Sequence, residues 1–192
     1  MKTPIVLLLI LCSFVHANRP NILLIVTDDQ APHTLSAYGN KDCYTPHIDQ
    51  LASSGIILYQ AYHMGSMSGA VCSPSRTMIM SGRTLWHLPS RGKKQLNKQE
   101  LKTGEENVLN NTLPAVFNRE GYETFRTCKK GNSYSQANAL FQIVKDKTAR
   151  KAGSEDGSQW HGQQLLDYLD SRTQRRVKKP FFAYFGFSHP HD

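Results

Sequence analysis

The chain of 192 residues carries 23 Lys and Arg against 15 Asp and Glu, which gives it a formal net charge of +8 at pH 7. Its basic residues are scattered apart from clusters at Lys93-Lys94 and between Arg175 and Lys179, and no basic patch alternates with aromatic residues, which disfavours nucleic-acid binding. A basic balance instead suits an anionic substrate, and the length is sufficient for one domain with a sizeable core.

The first 17 residues have the pattern of a secretory leader. Lys2 provides a charged start, residues 5–11 form an apolar centre, and Ala17 is a small residue at the expected cleavage position. The apolar run is too short to span a membrane, so we expect a signal peptide over residues 1–17 and no stable membrane span. The remaining chain, residues 18–192, is expected to be secreted or periplasmic.

Three cysteines remain after the leader and its Cys12 are removed: Cys43, Cys72 and Cys128. An odd number of thiols in an exported protein indicates at least one cysteine with a chemical role. Cys43 and Cys128 could form a disulfide or could equally be buried free thiols, since the sequence does not place them relative to each other.

An apolar, β-branched run from Asn21 to Val26 predicts a buried strand that ends just before Asp28 and Asp29. Adjacent carboxylates at the end of a strand are costly unless a positive group binds them. Because hard divalent cations prefer oxygen ligands, this pair predicts a Ca²⁺ or Mg²⁺ site. The alternative is an ordinary polar turn after the strand.

Strand and helix signals alternate along the rest of the chain, which favours an α/β fold with a largely parallel central sheet. Pro74 is expected to open a helix that Gly82 ends, which places Cys72 near a helix N-terminus, where negative charge is favoured. His161 is expected to be a structural or surface histidine rather than a ligand. The other predicted elements are a helix from Thr45-Pro46 to Gly55, a strand over 56–61, a solvated loop over 91–107, a helix from 111 to 121, a strand over 122–127, a helix over 159–172 and a strand over 180–187.

The most specific motif is Cys72-Ser73-Pro74-Ser75-Arg76. The pattern Cys-x-Pro-Ser-Arg resembles the core signature of type I sulfatases, whose cysteine is oxidised after translation to formylglycine, and the segment from Arg19 to Asp29 looks like the opening strand of that family. The resemblance implies an alkaline-phosphatase-like fold, an α/β/α sandwich with a largely parallel central sheet. Residues 18–192 would be the N-terminal part of the catalytic domain.

The resemblance also implies a role for each motif residue. Cys72 would be the formylglycine precursor, recognised by a formylglycine-generating maturation enzyme, and Arg76 would hold the hydrated aldehyde. Asp28, Asp29 and the modified Cys72 would bind the cation, Ca²⁺ or Mg²⁺. An aldehyde hydrate suits sulfate-ester hydrolysis because one hydroxyl can attack sulfur while the other expels sulfate, and a cation lowers the pKa of the attacking hydroxyl.

Two further residues are assigned by resemblance. Lys129 follows a segment that looks like the family's Gly-Tyr-x-Thr segment, and by that register it matches the lysine that binds substrate sulfate. Lys130 stands where Trp is usual and Gly131 where a catalytic histidine is usual, so His63 or another residue would have to substitute. His191, in the Ser-His-Pro-His loop, is the candidate that contacts the sulfate and protonates the leaving oxygen, a duty that suits histidine near neutral pH.

The resulting hypothesis is a sulfuric ester hydrolase that acts on a sulfated small molecule or glycan. The chain stops directly after a strand on a histidine-rich loop, so we expect a truncated sulfatase. Two alternatives stay open: a phosphonate or phosphodiester hydrolase of the same superfamily, and an inactive fragment that binds anions.

Overall fold

The computed structural model describes residues 19–66, 71–87, 109–131, 134–147 and 157–191. A four-stranded sheet with the order β1-β4-β2-β3 forms its centre, and every neighbouring pair of strands is parallel, as the sequence predicts. The strands are β1 (Ile22–Val26), β2 (Glu123–Cys128), β3 (Ile143–Asp146) and β4 (Phe181–Gly186). The mixed α/β architecture with a parallel sheet is confirmed.

The strands end in register at one edge of the sheet. Gly186, the last residue of β4, is paired with Val26 of β1 and with Cys128 of β2. Because the strands are parallel, the segments that follow all three emerge at this edge, which is where open α/β sheets bind ligands. Residues far apart in the chain therefore converge after Val26, Cys128 and Gly186.

Five α-helices lie wholly within the described part of the chain. Proline occupies one of the first two positions of α1 and α3, as expected at helix starts, while Gly82 ends α2 with a φ of 63°. The second helix begins at Cys72 rather than at Pro74, so Cys72 is itself a helical residue. The helices are α1 (Pro46–Ser53), α2 (Cys72–Ser81), α3 (Leu113–Arg119), α4 (Ser135–Asn138) and α5 (Ser158–Gln174), with short 3-10 turns at Pro32–Thr34, Ser36–Tyr38 and Leu85–His87.

The core lies on both faces of the central strands. Phe182 and Tyr184 of β4 pack on one face in a buried cluster with Met80 of α2, and Phe125, Ala183 and Phe185 pack on the other in a cluster with residues of α5. Stacked rings reinforce both layers, among them Phe125 on Tyr168 at a centroid distance of 4.2 Å. Aromatic side chains supply most of this burial because each removes a large apolar area from water.

Strand β1 is less buried than its sequence predicts. Leu23 and Ile25 are 45% and 47% exposed, whereas Ile22, Leu24 and Val26 pack against the core. Residues 23 and 25 share the face of the sheet on which α5 covers β2 and β4, and α5 does not extend over the edge strand β1. Within the described part of the chain, the apolar run therefore forms a strand with one covered face.

The strand predicted over residues 56–61 is wrong. This segment has no strand structure, and Ile56 and Tyr59 are 90% and 70% exposed. Ile57 and Leu58 instead line an apolar groove with Ile48 of α1. Local β propensity alone does not make a strand, and none of the four strands in the described residues pairs with this segment. The structure also adds β3 and α4, which the sequence reading missed.

His161 is buried inside the fold, as expected for a structural histidine. It is fully buried, its Nε2 lies 3.1 Å from the carbonyl oxygen of Lys147, and its Nδ1 lies 2.7 Å from Thr127 Oγ1. Burial lowers the pKa of His161 and favours the neutral ring, in which Nε2 donates and Nδ1 accepts. The ring thereby ties α5 to the end of β2.

Predicted features at residues 1–17 and 91–107 lie outside the described residues. Within the described part of the chain, no helix is both long enough and apolar enough to cross a lipid bilayer.

A buried ion pair joins α5 to the start of β2. Arg172 Nη1 donates to Glu123 Oε1 at 2.7 Å, and each of the two residues is 7% exposed. Burial raises the pKa of Glu123, but the hydrogen bond and positive charge of Arg172 lower it by more, so the net pKa lies below the ordinary glutamate value. The pair therefore favours the folded state as long as Glu123 is ionised.

This pair predicts an acid-sensitive contribution to stability. Because the folded-state pKa is depressed, the contribution is fully present above the unfolded-state value of about 4.3 and is lost as pH falls through the lower folded-state value. Glu123→Gln should reduce the free energy of unfolding at pH 7 by about 1–3 kcal/mol and should flatten its decline below about pH 4.3, measured by urea denaturation. The control Glu120→Gln, at a side chain 58% exposed, should change it by less than about 0.5 kcal/mol. If the free energy of unfolding fell equally steeply with pH in wild type and in Glu123→Gln, the stabilising role of the Glu123–Arg172 pair would be contradicted.

Candidate active site

A cleft of about 260 Å³ opens at the C-terminal edge of the sheet. It brings together the segment after β1, the first turn of α2 and His63 from the loop before α2. Its lining residues are Val26, Thr27, Asp28, Asp29, Gln30, His63, Val71, Cys72, Ser75 and Arg76. Four residues predicted from the sequence, Asp28, Asp29, Cys72 and Arg76, therefore share one cleft.

Asp28 is the buried anionic centre of the cleft. It is 4% exposed, Lys129 Nζ donates to its Oδ2, and Arg76 Nη2 lies 3.7 Å from its Oδ1. Burial raises the pKa of Asp28, but the hydrogen bond from Lys129 and the charges of Arg76 and Lys129 lower it below the ordinary aspartate value. Its backbone N–H donates to the carbonyl of His189 at 3.1 Å, which fastens the segment after β1 to the loop after β4.

Cys72 is the first residue of α2, and its Sγ lies 3.4 Å from Asp28 Oδ1. Burial, followed by the hydrogen bond and negative charge of Asp28, raises the pKa of the Cys72 thiol. The N-terminus of α2 therefore does not produce an activated thiolate at Cys72, because the carboxylate of Asp28 disfavours a second negative charge beside it. The side chain as encoded is a neutral thiol, which does not suit the role of a cysteine nucleophile.

Arg76 is one turn further along α2 and is 3% exposed. Its Nη1 donates to Cys128 Sγ at 2.8 Å and to the hydroxyl of Tyr184 at 3.1 Å, while Nη2 donates to the carbonyl of Phe187 at 3.2 Å. These acceptors come from β2, β4 and the segment after β4. The guanidinium thus locks α2 onto the C-terminal edge of the sheet and points one end at Asp28.

The structure decides between the alternatives for the remaining cysteines. Cys43 and Cys128 are free thiols, so the disulfide that could have joined them is not formed. Cys128 is fully buried and contacts Arg76, whereas Cys43 is only partly buried. Cys128 lies at the end of β2, in the interior of the sheet. This position makes Cys128 part of the site through its contact with Arg76.

The second aspartate and the terminal histidines lie at the rim. Asp29 has a positive φ of 61°, its side chain is 49% exposed, and its Oδ2 lies 3.7 Å from His191 Nε2. Asp28, Cys72 and His191 carry ligand atoms that all lie within 4.8 Å of one another, and Asp29 is outside this group. His189 instead pairs its Nδ1 with Ser158 Oγ at 3.0 Å.

Lys129, the predicted sulfate-binding lysine, lies beside Asp28. It is 4% exposed and its ammonium binds Asp28, so an incoming anion would share it with that carboxylate. Gly131, where a histidine is usual in the resembling family, is an exposed residue with a φ of 86°. His63 lines the cleft, and its Nδ1 accepts a hydrogen bond from the backbone N–H of Gly65 at 2.9 Å.

Three residues of the site were missed from the sequence: Cys128, Tyr184 and Gly186. A Cβ atom at Gly186 would lie 2.6 Å from Arg76 Nη1 and would overlap Cys128 Sγ. Glycine at the end of β4 is therefore what lets the sulfur and the guanidinium meet. The sequence offered one indication of Cys128 and Gly186, because β2 and β4 both end in small residues. No local sequence pattern shows that these two strands are neighbours in the sheet.

This close contact predicts a steric effect at Gly186. Gly186→Ala should lower the free energy of unfolding by about 1–3 kcal/mol by displacing Arg76, measured by thermal or urea denaturation. Gly162→Ala is the matched control, because a Cβ at this position in α5 meets open space and should leave stability unchanged or raise it by up to about 1 kcal/mol. Adding Cys128→Ala should restore part of the loss, and equal effects of the two glycine substitutions would argue against the contact.

Comparisons with known proteins identify relatives of this chain. The family model described as Sulfatase matches residues 20–192. The steryl-sulfatase of Homo sapiens is 42% identical over 85 residues, which cover 43% of this chain and 14% of that protein. The N-acetylgalactosamine-6-sulfatase of Rattus norvegicus is 23% identical over an alignment of 214 positions that covers 90% of this chain and 40% of that protein.

Solved structures share the fold. A protein of the alkaline phosphatase superfamily from Vibrio parahaemolyticus superposes with a TM-score of 0.66 at 18% identity, over 91% of this chain and 41% of that one. A second protein, solved in complex with its substrate D-glucosamine-2-N,6-O-disulfate, superposes with a TM-score of 0.64 at 21% identity, over 90% of this chain and 35% of that one. The chain spans less than half the length of these relatives. The match over residues 20–192 nevertheless covers nearly the whole sequence, and the chain belongs to the sulfatase family.

Proposed function

We propose that this protein hydrolyses a sulfate ester, of a small molecule or a glycan, with a formylglycine derived from Cys72 and a bound divalent cation. One observation carries the proposal: the cysteine of an intact Cys-Ser-Pro-Ser-Arg motif lies 3.4 Å from the buried Asp28, in a cleft that Arg76 also lines. Membership of the sulfatase family supports the reaction class.

The charge balance of the site suits an anionic group. Lys129 and Arg76 are both buried beside a single buried carboxylate, Asp28, so positive charge is in excess there. In a site with little water, fixed cations of this kind stabilise the negative charge that develops on sulfate oxygens in the transition state. Lys129 would move from Asp28 towards the substrate and hold one sulfate oxygen.

The environment of Cys72 suits a residue that is modified rather than used as a thiol. Its raised pKa keeps the thiol protonated, and Asp28 disfavours a thiolate. Formylglycine supplies, when present, an aldehyde hydrate with one hydroxyl for attack and a second for release of sulfate. Arg76, held by Cys128, Tyr184 and the Phe187 carbonyl, would fix the position of residue 72 through the first turn of α2.

The oxygen donors of the cleft fit a hard cation. Asp28, Asp29 and Gln30 all line the cleft, and side-chain oxygens of these residue types are the ligands that Ca²⁺ and Mg²⁺ prefer. A divalent cation there supplies charge neutralisation and lowers the pKa of a bound hydroxyl. Asp28 would then exchange its hydrogen bond with Lys129 for the cation, which frees the lysine for substrate.

His191 would move a proton in the proposed reaction. A ring nitrogen of His191 lies within 4.8 Å of both Cys72 Sγ and an Asp28 oxygen, and Asp29 Oδ2 lies 3.7 Å from its Nε2. A histidine beside a carboxylate can protonate a leaving oxygen near neutral pH. His63 lines the same cleft and is the candidate for the histidine usually found at the position of Gly131.

The remaining features of the proposal rest on sequence patterns. The leader over residues 1–17 supports export to a secreted or periplasmic location. The intact motif over residues 72–76 supports recognition by a formylglycine-generating enzyme.

The proposal predicts an aldehyde at residue 72. When the protein is coexpressed with a formylglycine-generating enzyme, peptide mass spectrometry should show loss of the thiol and gain of a hydrazide-reactive carbonyl. Metal-dependent hydrolysis of an aryl sulfate should accompany the aldehyde and should fall to background in Cys72→Ala. Only unmodified cysteine under these conditions, or faster turnover of a phosphodiester than of an aryl sulfate, would contradict the proposal.

A second prediction separates two adjacent lysines. Lys129→Ala should reduce kcat/KM for an aryl sulfate by about 10²–10³-fold, since it removes a buried cation from the developing charge. Lys130→Ala alters an exposed neighbour of the same charge and should stay within about twofold of wild type, because charged groups and ion pairs at the solvent-exposed surface contribute little. Thermal melting of both variants checks that the fold is retained, and equal kinetic losses would assign Lys129 a merely structural role.

A further inference from the structure

The group formed by Asp28, Cys72 and His191 includes a thiol sulfur that the proposed sulfate hydrolysis does not use. One ligand atom from each residue lies within 4.8 Å of the other two. The atoms are a carboxylate oxygen, a thiol sulfur and an imidazole nitrogen, contributed by the segment after β1, the first turn of α2 and the loop after β4. Mixed O, S and N ligands suit Zn²⁺ and Co²⁺, whereas Ca²⁺ and Mg²⁺ take oxygen.

The distances are close to those of a metal site. With Zn–S of about 2.3 Å and Zn–O of about 2.0–2.2 Å, a sulfur and an oxygen bound tetrahedrally to one Zn²⁺ are about 3.6 Å apart. Cys72 Sγ and Asp28 Oδ1 are 3.4 Å apart. A nitrogen bound to the same Zn²⁺ would lie about 3.4–3.6 Å from the oxygen and the sulfur. From the observed limit of 4.8 Å, the imidazole has to approach by no more than about 1.4 Å to complete three ligands.

The two oxygens of Asp28 have different partners. Oδ2 accepts the hydrogen bond from Lys129, whereas Oδ1 faces Cys72 and has Arg76 Nη2 at 3.7 Å. A metal at Oδ1 therefore does not require Lys129 to leave. Asp29 Oδ2 lies 3.7 Å from His191 Nε2, and a carboxylate beside the ring is the usual partner that orients a ligating histidine.

We propose that the chain with an unconverted Cys72 binds one Zn²⁺ through Asp28, Cys72 and His191. Binding forms a Zn–S bond from a sulfur electron pair and releases the thiol proton to solvent. The site requires neither the aldehyde nor hydrolysis, so it stands independently of the proposed function. Conversion of Cys72 to formylglycine removes the sulfur ligand and abolishes the site.

Metal titration tests the sulfur ligand. The 192-residue chain, shown by mass spectrometry to carry a free thiol at Cys72, should bind one Zn²⁺ by calorimetry and should give a thiolate-to-metal absorption band with Co²⁺. Cys72→Ser should lose the band and weaken Zn²⁺ binding by more than about tenfold, since even a change around the ligands costs 10–100-fold. Excess Ca²⁺ should not displace the Co²⁺. Unchanged Zn²⁺ affinity in Cys72→Ser would overturn the proposal.

Two histidines of the same cleft test the nitrogen ligand. His191→Gln should weaken Zn²⁺ binding by more than about tenfold, whereas His63→Gln is the matched control and should bind within about threefold of wild type, because His63 lines the cleft but lies outside the ligand group. Circular dichroism of both variants checks that they fold. Loss of binding in His63→Gln with normal binding in His191→Gln would overturn the assignment.

Thiol labelling provides a readout that needs no substitution. Zn²⁺ should slow alkylation of Cys72 by iodoacetamide by at least about tenfold, because the thiolate is the nucleophile and a bound metal occupies it. Cys43 is a free thiol outside the cleft and serves as the internal control, with an unchanged labelling rate. Equal labelling of Cys72 with and without Zn²⁺ would overturn the proposal.

Discussion

The structure depends on one buried carboxylate and the two cations that neutralise it. Asp28 lies at the C-terminal edge of a parallel sheet, with Lys129 and Arg76 beside it, and all three residues are at most 4% exposed. None of these charges could be buried alone without a large desolvation cost, so each of the three segments fixes the others. The segment after β1, the end of β2 and helix α2 meet because their charges must be paired.

The uncharged groups of the site hold Arg76 in position. Cys128, Tyr184 and the carbonyl of Phe187 accept its hydrogen bonds, and Gly186 leaves the space in which sulfur and guanidinium meet. A planar cation with several donors can be fixed from several directions at once, which a lysine could not match. The position of Cys72, one turn earlier on the same helix, is thereby set relative to Asp28. Aromatic layers on both faces of β4 keep that edge of the sheet rigid.

The chemical state of residue 72 would decide which metal the cleft prefers. With a thiol, the proposed ligand group presents sulfur and nitrogen beside one carboxylate, which favours Zn²⁺. With formylglycine the sulfur would be gone, and the oxygen-bearing side chains among the cleft residues Asp28, Asp29 and Gln30 would favour Ca²⁺ or Mg²⁺. In both states Lys129 and Arg76 keep an excess of positive charge beside the carboxylate, and this excess suits a sulfate group.

The sequence by itself determined the features that depend on neighbouring residues. Alternating strand and helix patterns gave the parallel α/β fold, the apolar run before Asp28 gave β1, and the motif around Pro74 placed Cys72 at a helix start, because propensity and turn chemistry act over a few residues. Only the tertiary structure decided that Lys129 binds Asp28, that Cys128 contacts Arg76 instead of forming a disulfide, and that residues 56–61 are not a strand. The contacts of Lys129 and Cys128 join residues more than fifty positions apart, and the missing strand reflects the lack of a pairing partner, so these outcomes depend on how parallel strands are ordered in space. A one-dimensional pattern does not encode that order.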